Sequence, residues 1–370
     1  MREPDRCERL TVSNEDILSQ RITVGMPLYQ GKDQVADALR SLQAQTFEDF
    51  EVIISVDGAD SDSADACRPF LADQRFRMVV HQQRLDWFGN FNWLLQQPMG
   101  DFFCYRQHDD TTAPDFFEKL VSAADARPDA AAVYADCQWC GGRSDLEIAP
   151  SVEGDTLHRL RQFIEQKEPL AVRGLIRRAA VAQAGLVRAD EFRALSEIFV
   201  WLAKVLRWGS FVRVAEPLYC RLDHAGNYYK QWFDWSEDRK RASWTTMFTG
   251  WLEAVIPACS TIEERLFFEH FILDRISVFR LGQSYHYAAR SPHEAGITIA
   301  ECFARLSHEG HLDRWIVPPA LGAATQQLVD DRDRLLHENE MLDAENKLLR
   351  RSRALAIARA IRRLLGLPYA

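Results

Sequence analysis

Gly100-Asp101-Phe102-Phe103-Cys104-Tyr105-Arg106-Gln107-His108-Asp109-Asp110-Thr111-Thr112-Ala113-Pro114-Asp115 decides how the chain is read. The apolar run from Phe102 to Tyr105 has the bulk and length of a short buried strand. It leads into two adjacent carboxylates, Asp109 and Asp110, before Pro114 opens a helical segment. Open α/β sheets present ligand-binding groups at the C-terminal ends of their strands. Paired carboxylates there suit a hard divalent cation, which takes oxygen ligands and shares them with substrate phosphates. They equally suit capping of the helix near Pro114, where Asp is favoured. The stretch alone leaves both readings open.

Upstream, Arg21 to Gln30 reads as a strand stopped by Pro27, followed by an amphipathic helix carrying Val35, Leu39 and Leu42. Phe50 to Val56 is a second buried strand, running into Asp57-Gly58. A helix over Ser61 to Leu71, a strand over Arg77 to His81 and a helix over Phe88 to Leu95 come next. Downstream of the central stretch the spacing predicts a helix to Ala126 and a strand from Ala130 to Cys137. Strands alternating with helices in this way predict an α/β fold with a mainly parallel, Rossmann-like sheet.

This order of motifs resembles the nucleotide-sugar half of the family 2 glycosyltransferases, which have the GT-A fold. Val24-Gly-Met-Pro27-Leu-Tyr29-Gln is similar to the family's first strand and its Pro-x-Tyr-Asn turn, with Gln30 in the Asn place. Asp57 stands where the family ends its second strand on an Asp that reads the nucleobase. Arg84-Leu-Asp-Trp-Phe-Gly-Asn-Phe-Asn92 followed by Gly100-Asp101 resembles the segment that leads to the metal motif. That motif, Asp-x-Asp-Asp in the family, falls on Gln107-His108-Asp109-Asp110. The resemblance spans about residues 20–225.

The resemblance implies a donor site built on Pro27, Tyr29, Asp57, Asn92 and Asp109. It implies Mn²⁺ or Mg²⁺ held by Asp109 and Asp110, with Gln107 replacing the first carboxylate. Pro217-Leu-Tyr-Cys-Arg221-Leu-Asp-His224 resembles the segment whose His approaches the diphosphate or the metal, which an imidazole can serve in either way. His108 would line the donor pocket or fill a strand-end position. Ser196-Glu197-Ile198 opens a stretch that looks like the family's Glu-Asp-x-x-Leu helix, with Ile198 on the Asp that serves as base. Three readings follow: Glu197 takes over as base, Asp190 or Glu191 supplies it, or no base is present.

Such an enzyme must neutralise the departing diphosphate, hold the base and ribose, and deprotonate an acceptor hydroxyl. The implied activity is inverting transfer from a UDP-linked donor to a glycan or lipid-linked acceptor in surface polysaccharide synthesis. The rival is a catalytically impaired scaffold of the same fold, motivated by Gln107 and Ile198.

The 370 residues, 47% hydrophobic and 27% charged, have room for more than one domain and the balance of a soluble globular protein. A net charge of −9 argues against nucleic acid as a partner. The eight cysteines show no framework pattern, so reduced thiols and a cytoplasmic setting are expected, and Cys137-Gln-Trp-Cys140 lacks the second pair of a zinc site. Residues 1–20 read as a polar leader without the apolar core of a signal peptide, and 21–227 as the catalytic domain. The aromatic-rich stretch 228–324 reads as helical, either a packed core or an acceptor-binding wall.

Leu328, Leu335, Leu342 and Leu349 recur every seven residues within 325–349, with Arg332, Asn339 and Asn346 at the alternate positions. That spacing fits either a self-associating coiled coil or a solvated single helix. Residues 350–370 form a basic amphipathic stretch, with Leu355, Ile361 and Leu365 among its apolar positions. It would either lie on the inner face of a membrane or remain a solvated tail.

Overall fold

The computed structural model describes residues 20–278 except 98, 167, 189–195, 228–229 and 231–233. The coiled-coil and basic-tail readings, Asp190, Glu191 and most of the leader lie outside the described residues. By contacts the chain divides into two units, one comprising residues up to Asp234 with Gly250–Leu266, the other Trp235–Thr249 with Phe267 onward.

The first unit is built on one sheet. Strands β1 (Ile22–Leu28), β2 (Phe50–Val56), β3 (Phe76–Val80) and β4 (Phe102–Tyr105) lie parallel in the order β3-β2-β1-β4. Val24, Met26, Val52, Ile53 and Ile54 are wholly buried, as the near-continuous apolar runs of a doubly covered parallel sheet require. Helices α1 (Val35–Gln43), α2 (Ser61–Cys67) and α3 (Asp86–Leu95) connect these strands. Phe91 of α3 is fully buried, with its ring 4.5 Å from Tyr105, 6.2 Å from Phe103 and 5.4 Å from Trp201.

Beyond β4 the sheet changes character. Strand β5 (Thr111–Thr112), helix α4 (Phe116–Ala126), strands β6 (Ala130–Gly141) and β7 (Leu146–Glu147), and helix α5 (Thr156–Gln166) follow in the chain. Then come β8 (Leu175–Arg177), α6 (Arg178–Ala184), α7 (Ser196–Leu206) and the long β9 (Ser210–Asp223). The complete order is β3-β2-β1-β4-β8-β6-β9-β5, with β7 paired to β6. β8 runs antiparallel to both β4 and β6, whereas β6 and β9 are parallel to one another.

The sheet is therefore mixed rather than mainly parallel. The difference lies in the short antiparallel strands β5, β7 and β8, which hydrophobic patterning does not reveal. β8 has three residues, and β9 is broken by an exposed bulge at Ala215, Glu216 and Pro217, where its register with β6 shifts. A bulge accommodates proline because no ladder hydrogen bond is lost there.

Pro27 does not end β1, which continues to Leu28. The Ile22 N–H points towards β2, so the missing N–H of Pro27, five residues on, faces the β4 side. Pairing with β4 has already ended at Gly25 opposite Tyr105, so proline costs the ladder nothing.

The cysteines also differ from expectation. Cys140 is bonded to Cys220, across β6 and β9, with their Cα atoms 6.3 Å apart. Cys137 is a buried free thiol, and burial pushes its pKa up to about 12. Residues three apart on a strand point to opposite faces, so Cys137 and Cys140 are not placed to meet.

Two helices close the described chain, α8 (Glu237–Val255) and α9 (Ile262–Val278). Of the aromatics singled out in this region, Trp235 lies under the Arg239 guanidinium, and Phe248 and Trp251 are buried. Tyr228, Tyr229, Trp232 and Phe233 fall outside the described residues. No helix among the described residues is long and apolar enough to cross a membrane.

The packing around Phe91 sets a test of the core. Phe91→Ala should cost about 3–5 kcal/mol, measured by urea unfolding, because three aromatic neighbours lose their partner at a site that cannot collapse. A loss below about 1 kcal/mol would mean that α3 is not docked on the sheet in this way.

Candidate functional site

The C-terminal ends of β1 and β2 are joined by the Asp57 N–H, which donates to the Leu28 carbonyl at 2.8 Å. A pocket of about 360 Å³ opens above them, lined by Tyr29, Gln30, Asp57, Gly58, Asp60 and Arg84 among others. Asp57 forms its floor and is 2% exposed. One carboxylate oxygen accepts from the Leu85 N–H at 2.6 Å, and the other pairs with Arg84 Nε at 3.0 Å. The same guanidinium lies 3.3 Å over the half-exposed Tyr29 ring. One guanidinium thus covers an aromatic face and pairs with a carboxylate in the same pocket.

Local backbone keeps this pocket clear. Gly58 sits at φ +71° directly against the Arg84 stem, a conformation and a closeness that disfavour a Cβ. Gln30 adopts φ +50°, with its N–H held by the Asp60 carboxylate at 2.6 Å. Pro27 is half-buried in β1 opposite Ser55, one residue short of the turn into the pocket.

Asn92 has a different setting from the one expected. Its amide donates to the Val187 carbonyl and accepts from the Val187 N–H, both at 2.8 Å. Asn92 thereby clamps α3 to the segment after α6, and its hydrogen-bonding groups are engaged away from the pocket.

The two adjacent aspartates after β4 part company. Asp110 is 2% exposed and points inward. It accepts from the Tyr219 hydroxyl at 2.8 Å and from the Leu222 N–H at 3.1 Å, with Arg173 Nε 3.9 Å away. Burial and the Asp109 charge push its carboxyl up, against the pull of Arg173 and Arg221. Burial raises the Tyr219 phenol well above its ordinary range, which keeps it a hydrogen donor to this carboxylate. Asp110 was expected to hold a metal with Asp109; in the fold each of its oxygens accepts a hydrogen bond from β9, which ties the loop after β4 to that strand.

Asp109 faces the other way. Its Oδ2 lies 3.0 Å from His224 Nε2 and accepts from the Asn227 amide at 3.2 Å. Gln107, in the place of a first carboxylate, accepts from buried Arg173 at 3.4 Å. His108 packs against Gly31, where any Cβ would collide with its ring. No group of three His, Cys, Asp or Glu side chains among the described residues is arranged to hold an ion. Asp109 and His224 fit a divalent cation as a partial set, one that leaves most of the shell to diphosphate oxygens and water.

Glu197 opens α7 but does not face a site. It is 1% exposed and held by Arg188 through both oxygens at 3.1 Å, and Arg188 also reaches Glu253 at 3.4 Å. An ionised carboxylate in a buried bidentate pair is stabilised as the anion and closed to an acceptor, so its surroundings do not suit the base role.

Sequence reading did not single out four residues of this region. Arg84 and Arg173 bracket the two carboxylate sites, and Tyr219 orders Asp110. Glu168, partly exposed before the turn Leu170–Arg173, has its carboxyl pushed up to about 7 by burial and by Glu147. Only Arg84 carries a usable signal, its place just after the third strand; the others are isolated residues brought together by β6, β9 and the turn before β8.

Comparison with known proteins agrees with this architecture. The family described as Glycosyl transferase family 2 matches residues 23–178. EpsH of Bacillus subtilis (strain 168), a protein described as a glycosyltransferase, is 25% identical over 150 residues, covering 40% of this chain and 43% of that one. The chain thus matches less than half the length of that relative. The crystal structure of S. aureus TarS 1–349 superposes with a TM-score of 0.52 at 13% identity, covering 80% of this chain and 92% of that one. The complex of the same TarS fragment with UDP-GlcNAc gives a TM-score of 0.51 at the same 13% identity and the same coverage. At that identity the likeness establishes a shared fold of the GT-A kind.

The contrast between the two aspartates is testable without substrate. Asp110→Ala should lower unfolding stability by about 3 kcal/mol or more, since it leaves a buried arginine and phenol uncompensated. Asp109→Ala should stay within about 1 kcal/mol of wild type, as expected of a partly exposed pair. Equal losses in urea unfolding would erase the distinction.

Proposed function

With residues 23–178 a family 2 glycosyltransferase domain, we propose that the protein transfers a sugar from a nucleoside diphosphate donor, UDP-linked in the first instance, to a glycan or lipid-linked acceptor of the cell surface. The observation that carries this reading is the alignment of two features at the same end of the sheet. Tyr29 and Asp57 follow β1 and β2, and the Asp109–His224 pair follows β4 and β9. All four strands run in the same direction, so their C-terminal ends share one rim.

In this reading the nucleobase takes the Tyr29 face when Arg84 swings aside, and Asp57 accepts a hydrogen bond from a base N–H. Arg84, freed from Asp57, remains close enough to screen phosphate charge. Asp109 and His224 hold Mn²⁺ or Mg²⁺, which would neutralise the charge developing on the diphosphate as the glycosidic bond breaks. Binding of the nucleotide, remote from C1, supplies the orientation on which transfer depends. The TarS fragment, a protein of the same fold, binds UDP and UDP-GlcNAc, which supports a uridine donor as the first choice. Inversion at C1, assembly through 325–349 and contact of the basic stretch 350–370 with an anionic inner membrane face belong to the same proposal.

A non-catalytic scaffold is the second reading, favoured by the Gln107–Arg173 contact and by the clamped Glu197. Release of UDP from a donor by wild type, lost in Asp109→Ala, would exclude it.

Calorimetric titration of UDP and GDP, with Mn²⁺ and with chelator, is the direct test. One nucleotide should bind in a metal-dependent manner. Asp57→Ala and Asp109→Ala should each weaken it by at least about tenfold, or ~1.4 kcal/mol. Binding of neither nucleotide under either condition would overturn the proposal.

A further inference from the structure

Asn227 ends the turn that follows β9, and every polar group it carries is engaged. Its side-chain oxygen accepts from the His224 N–H at 2.7 Å. Its side-chain nitrogen donates to Asp109 Oδ2 at 3.2 Å and to the Leu222 carbonyl at 3.0 Å. The Asn227 N–H donates to the His224 carbonyl at 3.2 Å, and the Asn227 carbonyl accepts from the Lys230 N–H at 3.0 Å. A side-chain amide offers two N–H donors and one acceptor oxygen, and its surroundings here supply two acceptors and one donor. The opposite orientation would set the amide oxygen against a carboxylate and a carbonyl, so the network fixes which way it points.

Asn227 therefore stands between the two groups of the Asp109 site. Its bonds to the His224 backbone close the turn that carries the imidazole, while its bond to Asp109 reaches across to the loop after β4. Leu222 belongs to the same knot: its N–H donates to Asp110 and its carbonyl receives the Asn227 amide. The two neighbouring aspartates are thus tied to one residue of β9, Asp110 directly and Asp109 through Asn227.

The consequence falls on the Asp109 carboxylate. Oδ2 is occupied twice, by the Asn227 amide and by His224 Nε2 at 3.0 Å. Among the described residues Oδ1 has no hydrogen bond and no ion pair, and the side chain is 12% exposed. The nearby cations are engaged elsewhere, Arg173 with Gln107 and Arg221 with Glu147.

Resting on the glycosyltransferase reading above, we propose that Asn227 is the positioning residue of the metal site: it fixes Asp109 through Oδ2, so that Oδ1 is presented to the divalent ion in register with His224. Metal-binding carboxylates are ordinarily oriented by a hydrogen bond from outside the coordination shell. That support carries more weight in a partial ligand set, where no third acidic, thiol or imidazole group among the described residues is arranged to complete the site. A residue that only closed its turn would act on stability; one that orients Asp109 acts on the ion.

The test is calorimetric titration of UDP at a series of Mn²⁺ concentrations. In Asn227→Ala the Mn²⁺ concentration that half-saturates UDP binding should rise about 10–100-fold, while saturating Mn²⁺ should bring UDP affinity back to within about twofold of wild type. Added metal would not restore a site that had simply collapsed. Asn227→Ser keeps a small hydrogen-bonding group in the turn but is too short to span to Asp109; it should show the same shift, and it carries the test if Asn227→Ala does not fold. In an Asp109→Ala background Asn227→Ala should move the Mn²⁺ midpoint no further, because its effect passes through that carboxylate. A wild-type Mn²⁺ midpoint in folded Asn227→Ala or Asn227→Ser overturns the proposal, and so does a double variant whose shift is the product of the two single shifts. Wild type that binds UDP with no dependence on Mn²⁺, or binds none, overturns the donor reading of the preceding subsection and this inference with it.

Discussion

The site depends on one buried carboxylate. Asp110 receives the Tyr219 hydroxyl and the Leu222 N–H, and has Arg173 beside it, so the loop after β4 is bound to β9 and to the turn before β8. Arg173 and Tyr219 each lie more than sixty residues from Asp110 in sequence, and an unpaired carboxylate at that depth would be costly. Satisfying it draws β9 along β6 to the rim, and that placement brings His224 and Asn227 to Asp109. Two neighbouring residues of one type divide the work: one holds the loop, the other is presented.

The Asp57 half of the rim is built by a simpler rule. β1 and β2 are parallel, so both end at the same rim, and the turns beyond them carry Tyr29 and Asp57 into one pocket. Arg84 occupies the space between them, stacked on the ring and paired with the carboxylate. The arrangement gives a buried carboxylate its counter-charge and covers an aromatic face. A planar group with a hydrogen-bond donor on its edge could replace the guanidinium on similar terms.

Charge is distributed unevenly between the halves of the rim. Near Asp57 a single arginine, Arg84, shares the pocket with Asp57 and Asp60, whereas near Asp109 two arginines are fixed in place. Arg173 is buried beneath Tyr219 and Gln107, and Arg221 is held by Glu147 and Trp139. Fixed cations cost no reorganisation when a negative leaving group develops.

Much of the first half was legible in the sequence. Val52-Ile-Ile54 and Phe102-Phe-Cys104 have no polar face to lose, so they could only be buried strands, and the turns at Asp57-Gly58 and after Pro27 marked where those strands deliver side chains. The opposite fates of Asp109 and Asp110 could not be read, because adjacent residues of the same type have the same local propensity and differ only in what the fold places beside them. The Glu197 clamp is invisible for the same reason: its partner Arg188 and the Glu253 that holds Arg188 come from other elements. Short β8 and bulged β9 have too little periodicity to announce themselves, yet they complete the sheet and carry the residues that order the motif. Sequence alone determined which strands are buried and where their ends lie; tertiary structure decided which carboxylates are neutralised and which remain open, because desolvation and pairing are set by distant neighbours.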